Sequence, residues 1–272
     1  MTEVEYILGH SESEIRRLML QAAMLRPLTE RLLLDAGLAP GMRVLDVGCG
    51  VGDVAMLAAS IVGPSGKVVG VDREAVAIKA AQQRADAAGL AIQYHQAAIE
   101  DRPDLGEFDF AVGRYVLSHQ PDPTSFVRTV SSYVRQGGVV AFHEALVTRD
   151  LLQLNRAPLW QRVVEVTISA FGAAMQHPDV GARLVETFHA AGLDGATVWC
   201  DVMTYCQPDN PVFTWFSLVL RSSLPHIERL GLATAAELDV DTLEDRLQVE
   251  AASLHSQVVF PSQFSGWARK RL

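Results

Sequence analysis

Between residues 42 and 145 the chain alternates short β-branched segments with alanine-rich ones, and this alternation most constrains its fold. Strands that alternate with helices are typical of a parallel, doubly wound sheet, since each helix returns the chain across one face. Runs such as VVGV and VVAF are wholly apolar, as strands covered on both faces must be. The predicted strands are MRVLDVG, GKVVGVD, AIQYHQA, FDFAVGR and GVVAFHE, and the predicted helices are DVAMLAASIV, REAVAIKAAQQRADAAG and DPTSFVRTVSSYVRQ.

The segments on either side of this stretch are mainly helical in pattern. Two apolar-periodic segments, 11–25 and 27–36, come first, and Pro27 is expected to separate them because proline interrupts a helix. Later in the chain, the predicted helical regions are 151–190 and 211–255, and the predicted strands are ATVWCDVMTY and SQVVFPSQFSGWAR, the second with Pro261 at a bulge or edge.

No linker separates these parts, so we expect one domain with additions. An N-terminal helical lid at 1–37 precedes an α/β core at 38–150. Residues 151–272 then complete the same domain with a helical substrate cap, at about 151–190 and 211–255, and the last two strands.

Composition excludes several kinds of partner. The 23 Lys and Arg against 32 Asp and Glu leave a net charge of -9, so the chain lacks the basic surface that nucleic acid or an anionic membrane requires. The longest apolar run covers about half of a membrane span, and the acidic N-terminus does not resemble a signal peptide. We expect a cytoplasmic protein that binds a small molecule, with no nucleic acid and no membrane partner; whether it forms a homo-oligomer is open.

The three cysteines are Cys49, Cys200 and Cys206. Their number and spacing indicate neither a disulfide framework nor a metal site. Cys49 lies in a turn that needs a small side chain, and the other two are expected to be buried.

The segment VLDVGCGVGD places Gly48, Gly50 and Gly52 between the first strand and its helix. Glycine lets the backbone turn tightly there and lets a ligand approach closely. A dinucleotide-binding turn has its third glycine where this chain has Asp53. Because a carboxylate at a helix N-terminus, with Asp46 before the glycines, repels a pyrophosphate, we expect a ligand with positive charge at that end. The alternative is that the turn merely packs a helix on a strand.

Asp72 ends the second strand, twenty residues after Gly52. An acid at this position of a doubly wound sheet can accept both hydroxyls of a ribose. The alternative is that Asp72 caps the helix that follows. Taken with the glycine turn, its position indicates a ligand that carries a nucleoside.

In order and spacing, the segments VLDVGCGVGD, VDR, FDFAVGRYVLSHQPDP and VRQGGVVAFHE resemble the class I S-adenosylmethionine-dependent methyltransferases, most closely the branch that acts on small molecules. The resemblance covers residues 40–145. It implies an α/β, Rossmann-like, doubly wound sheet of seven strands with the last strand antiparallel. It also implies lid helices, helical cap insertions and S-adenosyl-L-methionine as the cofactor.

The same resemblance implies a set of cofactor contacts. Gly48 and Gly50 would line the methionine portion, Asp72 would hold the ribose hydroxyls, and the adenine would lie after the third strand against backbone amides and the apolar face of Ile99. The lid would fold over the cofactor. The full expected set of cofactor-binding residues is Tyr6, Gln21, Asp46, Gly48, Cys49, Gly50, Asp72, Arg73, Ala98, Ile99 and Arg114.

The candidates for the chemistry follow strands four and five, where ligands of such sheets bind. His119 is the first choice for a general base, because neutral imidazole accepts a proton at pH 7; the alternative is that it caps the helix after Asp122. His143 and Glu144 alternate on a strand, so only one is expected to face the site, and Glu144 is favoured. Arg114 is expected to meet the cofactor carboxylate or a neighbouring acid.

These observations predict an S-adenosylmethionine-dependent methyltransferase for a small, largely apolar or aromatic metabolite. Its late segments are aromatic and carry few charges, which suits such a substrate. O-methylation is favoured over C- or N-methylation. The alternatives are a non-methylating enzyme on the same cofactor fold, such as a cyclase or decarboxylase, and a binding module that senses the cofactor.

Overall fold

The computed structural model describes residues 12–147, 156–207 and 210–271, without the side chains of residues 12–15. The strands are β1 (Arg43–Val47), β2 (Lys67–Asp72), β3 (Ile92–Gln96), β4 (Phe108–Arg114), β5 (Val134–Ala145), β6 (Thr197–Asp201), β7 (Thr204–Tyr205), β8 (Val258–Val259) and β9 (Gln263–Arg269). The helices are α1 (Glu12–Asp35), α2 (Asp53–Val62), α3 (Ala75–Ala87), α4 (Pro123–Ser132), α5 (Pro158–Ala174), α6 (Leu184–Ala190), α7 (Pro211–Arg229), α8 (Ala235–Leu238) and α9 (Leu243–Leu254).

The chain divides into two compact units, and the boundary between them falls inside α1. The sheet unit contains residues 25–145, 180–200 and 263–272, so it includes part of the segment that the sequence analysis assigned to a lid. The helical unit contains the described parts of residues 1–24, 146–179 and 201–262.

A seven-stranded sheet in the order β3-β2-β1-β4-β5-β9-β6 forms the centre of the sheet unit. Neighbouring strands from β3 to β5 are parallel, whereas β9 pairs with β5 in the antiparallel direction. This confirms the predicted α/β class, the seven strands and the antiparallel last strand. The carboxyl ends of β1, β2, β4 and β5 therefore lie along one edge of the sheet, where the candidate residues were expected.

The sheet is buried on both faces, which explains its apolar strands. Along β1, Leu45 and Val47 point into one core cluster and Val44 points into the other. On the neighbouring strands, Phe142 of β5 lies in the first cluster and Phe110 of β4 lies in the second, and both are fully buried. The period of two along each strand thus supplies both cores.

Pro27 does not break the first helix, which was a wrong prediction: α1 runs from Glu12 to Asp35 without interruption. A proline inside a helix costs about 3 kcal/mol, because it removes one N–H and crowds the preceding turn. Leu25 and Leu32, on either side of Pro27, are fully buried, and the burial of such side chains offsets this cost.

Four other local predictions were wrong. The last predicted strand is two strands in two different sheets, since Pro261 lies between β8 and β9, and ATVWCDVMTY is likewise divided between β6 and β7. The helix predicted to reach Gln136 ends at Ser132, because Val134 already belongs to β5. Cys200 and Cys206 are exposed rather than buried. Cys200 is exposed because β6 is an edge strand of the sheet.

Aromatic side chains form the core of the helical unit. The Trp160 ring centroid lies 4.8 Å from that of Phe216, and Trp215 lies 5.0 Å from Phe260. All four are buried, so these members of the aromatic pattern pack against one another. Among the described residues, no helix combines the length and the apolar character needed to cross a bilayer.

Candidate cofactor site

The turn between β1 and α2 needs glycine at three positions for different reasons. Gly48, Gly50 and Gly52 all have left-handed backbone angles, with φ of 64°, 52° and 86°. A Cβ added to Gly48 would collide with Val116, and one added to Gly52 would collide with the hydroxyl of Tyr94. A Cβ added to Gly50 would meet nothing within 4 Å. Gly50 therefore borders open space, where a ligand can approach the backbone.

Asp72 joins the glycine turn to the start of α3. Its Oδ2 accepts a hydrogen bond of 2.8 Å from the Gly50 amide, and its Oδ1 accepts one of 2.9 Å from the Glu74 amide. The second bond closes a local turn before α3 and is not a helix cap, since the N-cap residue of α3 is Glu74. The first bond ties the carboxylate to the glycine turn. A carboxylate offers about four acceptor sites, so both oxygens retain capacity for a ligand hydroxyl.

The hydrogen bonds of the turn leave little for an anion. Besides Gly50, the amide of Cys49 donates to Val71 O at 3.1 Å, and the amide of Gly52 donates to Cys49 O at 2.9 Å. A pyrophosphate binds such turns through bare amides. These three amides are already occupied, and one of them faces a carboxylate.

The acidic residues near the turn are not the pair of open carboxylates that the sequence indicated. Asp53 accepts from Arg84 at 2.6 Å, and its other oxygen lies 4.0 Å from Arg114. Asp46 is fully buried, and burial raises its pKa to about 8, so the neutral form is favoured at pH 7. The sequence analysis inferred a positively charged ligand from two free carboxylates. Neither of them is a free carboxylate in the structure, so they do not support that inference. Arg114 meets a neighbouring acid, as one of its two predicted roles required.

The segment after β4 is held at three consecutive amides by the end of β5. Tyr115 has a left-handed backbone, with φ of 59°, which is strained for a bulky side chain. Its amide donates to His143 O at 2.9 Å. The amides of Val116 and Leu117 donate to Glu144 Oε1 at 2.9 and 2.8 Å. Glu144 is fully buried, and burial raises its pKa to about 7.

His143 is also fully buried and has a partner at each ring nitrogen. Its Nδ1 lies 3.0 Å from Thr29 Oγ1, and its Nε2 lies 3.1 Å from Gln263 Oε1. Because a carbonyl oxygen only accepts, the proton belongs on Nε2. Burial lowers the pKa of His143 to about 3. Strand alternation predicted that one of His143 and Glu144 would face the site, but both side chains are enclosed.

The network around His143 includes residues that the sequence analysis missed. Tyr115 donates its hydroxyl to Gln263 Oε1 at 2.5 Å, and Arg114 donates to Thr29 Oγ1 at 3.2 Å. Thr29 and Gln263 come from opposite ends of the chain, so no local motif points to them. Each stands beside another polar residue, Glu30 or Ser262, so the local sequence does not single it out.

His119 lies in a short 3-10 helix, Leu117–His119, and is partly buried. Burial lowers its pKa, and Arg73 lowers it further, so the ring is neutral at pH 7. The alternative role does not apply, because Asp122 itself caps α4 by accepting from the Ser125 amide at 3.0 Å. Among the three candidate bases, His119 is therefore the one with a partly exposed side chain.

The residues expected around adenosine lie after β2 and β3. Arg73 is exposed and pairs with Glu100 at 3.4 Å. Ala98 is partly buried and precedes a 3-10 turn, whereas the Ile99 side chain packs into the core. The backbone near Ala98 is thus more accessible than the apolar face of Ile99.

Of the two expected lid residues, Gln21 belongs to the helical unit. Gln21 is buried there, and its Oε1 accepts from Arg17 at 2.8 Å and from Trp215 at 3.2 Å. Tyr6 lies outside the described residues.

Comparison with known proteins settles which family this geometry belongs to. A family described as a methyltransferase domain matches residues 38–175, about half of the chain. The chain belongs to this family. Over 110 residues it is 38% identical to the ubiquinone biosynthesis O-methyltransferase of Aromatoleum aromaticum. The aligned segment covers 40% of this chain and 45% of that protein. The chain thus spans less than half the length of this curated relative.

Two solved structures share the fold over most of the chain. The YcgJ protein from Bacillus subtilis has a TM-score of 0.56 and 18% identity, covering 90% of this chain and 98% of that one. The cyclase SpnF, described as catalysing a 4+2 reaction, has a TM-score of 0.52 and 16% identity, covering 90% and 82%. At these identities the likeness shows the fold alone.

Family membership makes this chain an S-adenosylmethionine-dependent methyltransferase domain. The described residues fit that cofactor. Open space borders Gly50, and the Asp72 carboxylate beside it retains acceptor capacity for a ribose. The amides of Cys49, Gly50 and Gly52 are used within the protein and are not available to the pyrophosphate of a dinucleotide.

The raised pKa of Glu144 predicts a specific change in stability with pH. Between the ordinary glutamate pKa of 4.5 and the raised pKa of about 7, the folded protein holds the proton of Glu144 more tightly than the unfolded chain does. The free energy of unfolding therefore falls as the pH rises through this window, by roughly 1–3 kcal/mol from this group. Glu144→Gln keeps an acceptor oxygen and does not titrate. We expect the variant to gain stability relative to the parent from pH 5 to pH 8.

Urea unfolding of both proteins at several pH values tests this prediction. Asp46 and His143 titrate in both, so their contributions cancel in the difference. A difference between the two proteins that stays constant from pH 5 to pH 8 would show that Glu144 does not hold a proton in this window.

Proposed function

We propose that this protein transfers a methyl group from S-adenosylmethionine to an oxygen of a small, largely apolar or aromatic metabolite. The observation that carries the choice of oxygen is the 38% identity, over 110 residues, to a protein named as an O-methyltransferase. The net charge of -9 supports a small molecule rather than nucleic acid as the acceptor.

The bound cofactor supplies a methyl group on a sulfonium, which is reactive without further activation. The chain then has to orient the acceptor, exclude water and take a proton if the acceptor is a hydroxyl. Gly48, Gly50 and Asp72 are proposed to hold the methionine and ribose portions. The remaining proposed cofactor contacts are Tyr6, Gln21, Asp46, Cys49, Arg73, Ala98, Ile99 and Arg114.

We assign the role of general base to His119. It follows β4 at the carboxyl edge of the sheet, it is partly exposed, and burial keeps it neutral at pH 7. His143 is a poorer choice, because its pKa is about 3 and both nitrogens have protein partners. Glu144 is enclosed and bonded to two turn amides, which suits a role in positioning.

Two experiments separate this function from its rivals. Calorimetry with S-adenosylhomocysteine should show binding, while NAD should give none, since the turn offers no bare amides for a pyrophosphate at Cys49, Gly50 and Gly52. Incubation with S-adenosylmethionine and a panel of phenols should release S-adenosylhomocysteine and a methylated product. Product without methylation would indicate a cyclase or decarboxylase, and binding without turnover of any acceptor would indicate a sensor.

Asp72→Ala should weaken cofactor binding at least about tenfold. A hydrogen bond to a charged group contributes about 1.5–3 kcal/mol, and tenfold in affinity corresponds to about 1.4 kcal/mol. Calorimetry with S-adenosylhomocysteine measures the effect. Asp109→Ala is the matched control, because Asp109 also accepts from a backbone amide, that of Arg43 at 2.7 Å, at the amino ends of the strands. Equal affinity of the Asp72 variant and the parent would place the ribose elsewhere.

His119→Ala should lower kcat by about 10²–10⁴-fold, the usual contribution of a general base. The affinity for S-adenosylhomocysteine should stay the same. Because burial lowers the pKa of His119, the parent rate should decline only at a lower pH than an ordinary histidine base would cause. His189→Ala, at an exposed histidine paired with Asp194, is the control. Full activity of the His119 variant on a hydroxyl acceptor would exclude this histidine as the base.

A further inference from the structure

We propose that Glu144 and Val116 are positioning residues for the cofactor: the Glu144 carboxylate holds the turn after β4 so that the Val116 side chain supports the glycine turn at Gly48. This inference rests on the proposed function and adds two residues to the machinery of the same site. Neither residue needs to touch the cofactor.

The first step is the anchoring of the turn after β4. One oxygen of a fully buried carboxylate accepts from two successive amides, those of Val116 and Leu117, at 2.9 and 2.8 Å. The preceding amide, from Tyr115, is bound by the His143 carbonyl at 2.9 Å. Burying a carboxyl group is costly, and a left-handed tyrosine is strained by about 1–3 kcal/mol. Such costs persist only where the surroundings fix the conformation, as three bonds do here.

The second step is the contact that this anchoring creates. The Val116 side chain occupies the space where Gly48 and Gly113 have no side chains. A Cβ on Gly113 would lie 2.8 Å from Val116 Cγ2, and one on Gly48 would collide with Val116 Cγ1. The β-branched side chain of valine is restricted at χ1, so its methyl groups move together with its backbone.

The third step links this contact to the ligand site. β1 and β4 are neighbouring parallel strands, with Val47 beside Gly113, so the two turns that follow them form adjacent walls of the site. Gly48 in the left-handed conformation directs the chain to Gly50, whose amide binds Asp72. A shift of Val116 would therefore displace Gly48 and change the distance between Gly50 and Asp72.

The enclosed position of Glu144 explains why its role is positioning. Its side chain is fully buried, and its hydrogen-bond donors are amides of the turn after β4. The carboxylate acts on the site through the turn amides. The amide oxygen of a glutamine can accept the same two hydrogen bonds, whereas an apolar side chain cannot. Glu144→Gln is therefore the conservative substitution, and Glu144→Leu is the disruptive one.

The experiment measures S-adenosylhomocysteine binding by calorimetry and thermal unfolding without cofactor. Glu144→Leu should raise the Kd at least about tenfold, and Glu144→Gln should change it by less than about threefold. Asp109→Leu is the control for lost amide acceptance far from the site and should leave the Kd unchanged at comparable loss of thermal stability. In the kinetic assay, Glu144→Leu should raise KM for S-adenosylmethionine more than it lowers kcat.

A double-mutant cycle tests the Val116–Gly48 contact and serves if Glu144→Leu does not fold. Val116→Ala should raise the Kd about three- to tenfold because the support is lost. The single variant Gly48→Ala should also weaken binding, since the new Cβ collides with Val116 and the left-handed backbone strains alanine. In the double variant the collision is removed, so its loss of affinity should be smaller than the product of the two single losses.

The outcomes distinguish a failure of this inference from a failure of the proposed function. If the parent binds S-adenosylhomocysteine and Glu144→Leu or Val116→Ala binds it equally well, the inference is overturned while the proposed function stands. The inference also fails if the two losses in the cycle simply multiply. If the parent itself does not bind, both fail together.

Discussion

The bond between the Asp72 carboxylate and the Gly50 amide is the interaction on which the candidate site depends. It joins the end of β2 to the turn after β1, and the same carboxylate binds the amide of Glu74, the residue before α3. A glycine turn alone has many conformations available, because glycine populates both signs of φ. The carboxylate selects one of them. It also leaves acceptor capacity beside the open space at Gly50, which is what a nucleoside needs.

Buried polar groups along this edge of the sheet are expensive, and the structure limits the cost by keeping several of them neutral. Burial raises the pKa values of Asp46 and Glu144 and lowers that of His143. A neutral group with hydrogen-bond partners loses far less on burial than an isolated charge. Asp53 is paired with Arg84, and the Asp72 carboxylate is bound by two backbone amides. The edge therefore combines directional hydrogen bonds with little net charge.

Most of the sheet unit could be predicted from the sequence, because its signals are local. α2 and β4 begin and end where the patterns indicated, since a full apolar run with glycine or charge at its ends defines them. Prediction failed where tertiary packing overrides propensity, as at Pro27 inside α1. For the site, the glycine turn and Asp72 follow from spacing. Thr29 and Gln263 do not, because they meet His143 only after the chain has folded.

The choice between a dinucleotide and S-adenosylmethionine illustrates how a sound expectation can rest on the wrong physical cause. The sequence suggested that Asp46 and Asp53 repel a pyrophosphate. In the structure Asp46 is largely neutral and Asp53 is paired, so repulsion by these two is weak. The hydrogen bonds of the turn give another reason to expect weak pyrophosphate binding. The amides of Cys49, Gly50 and Gly52 are used within the protein, and the one at Gly50 already has the Asp72 carboxylate as its anion. At these three positions, the hydrogen bonds that remain available are expected to matter more than net charge.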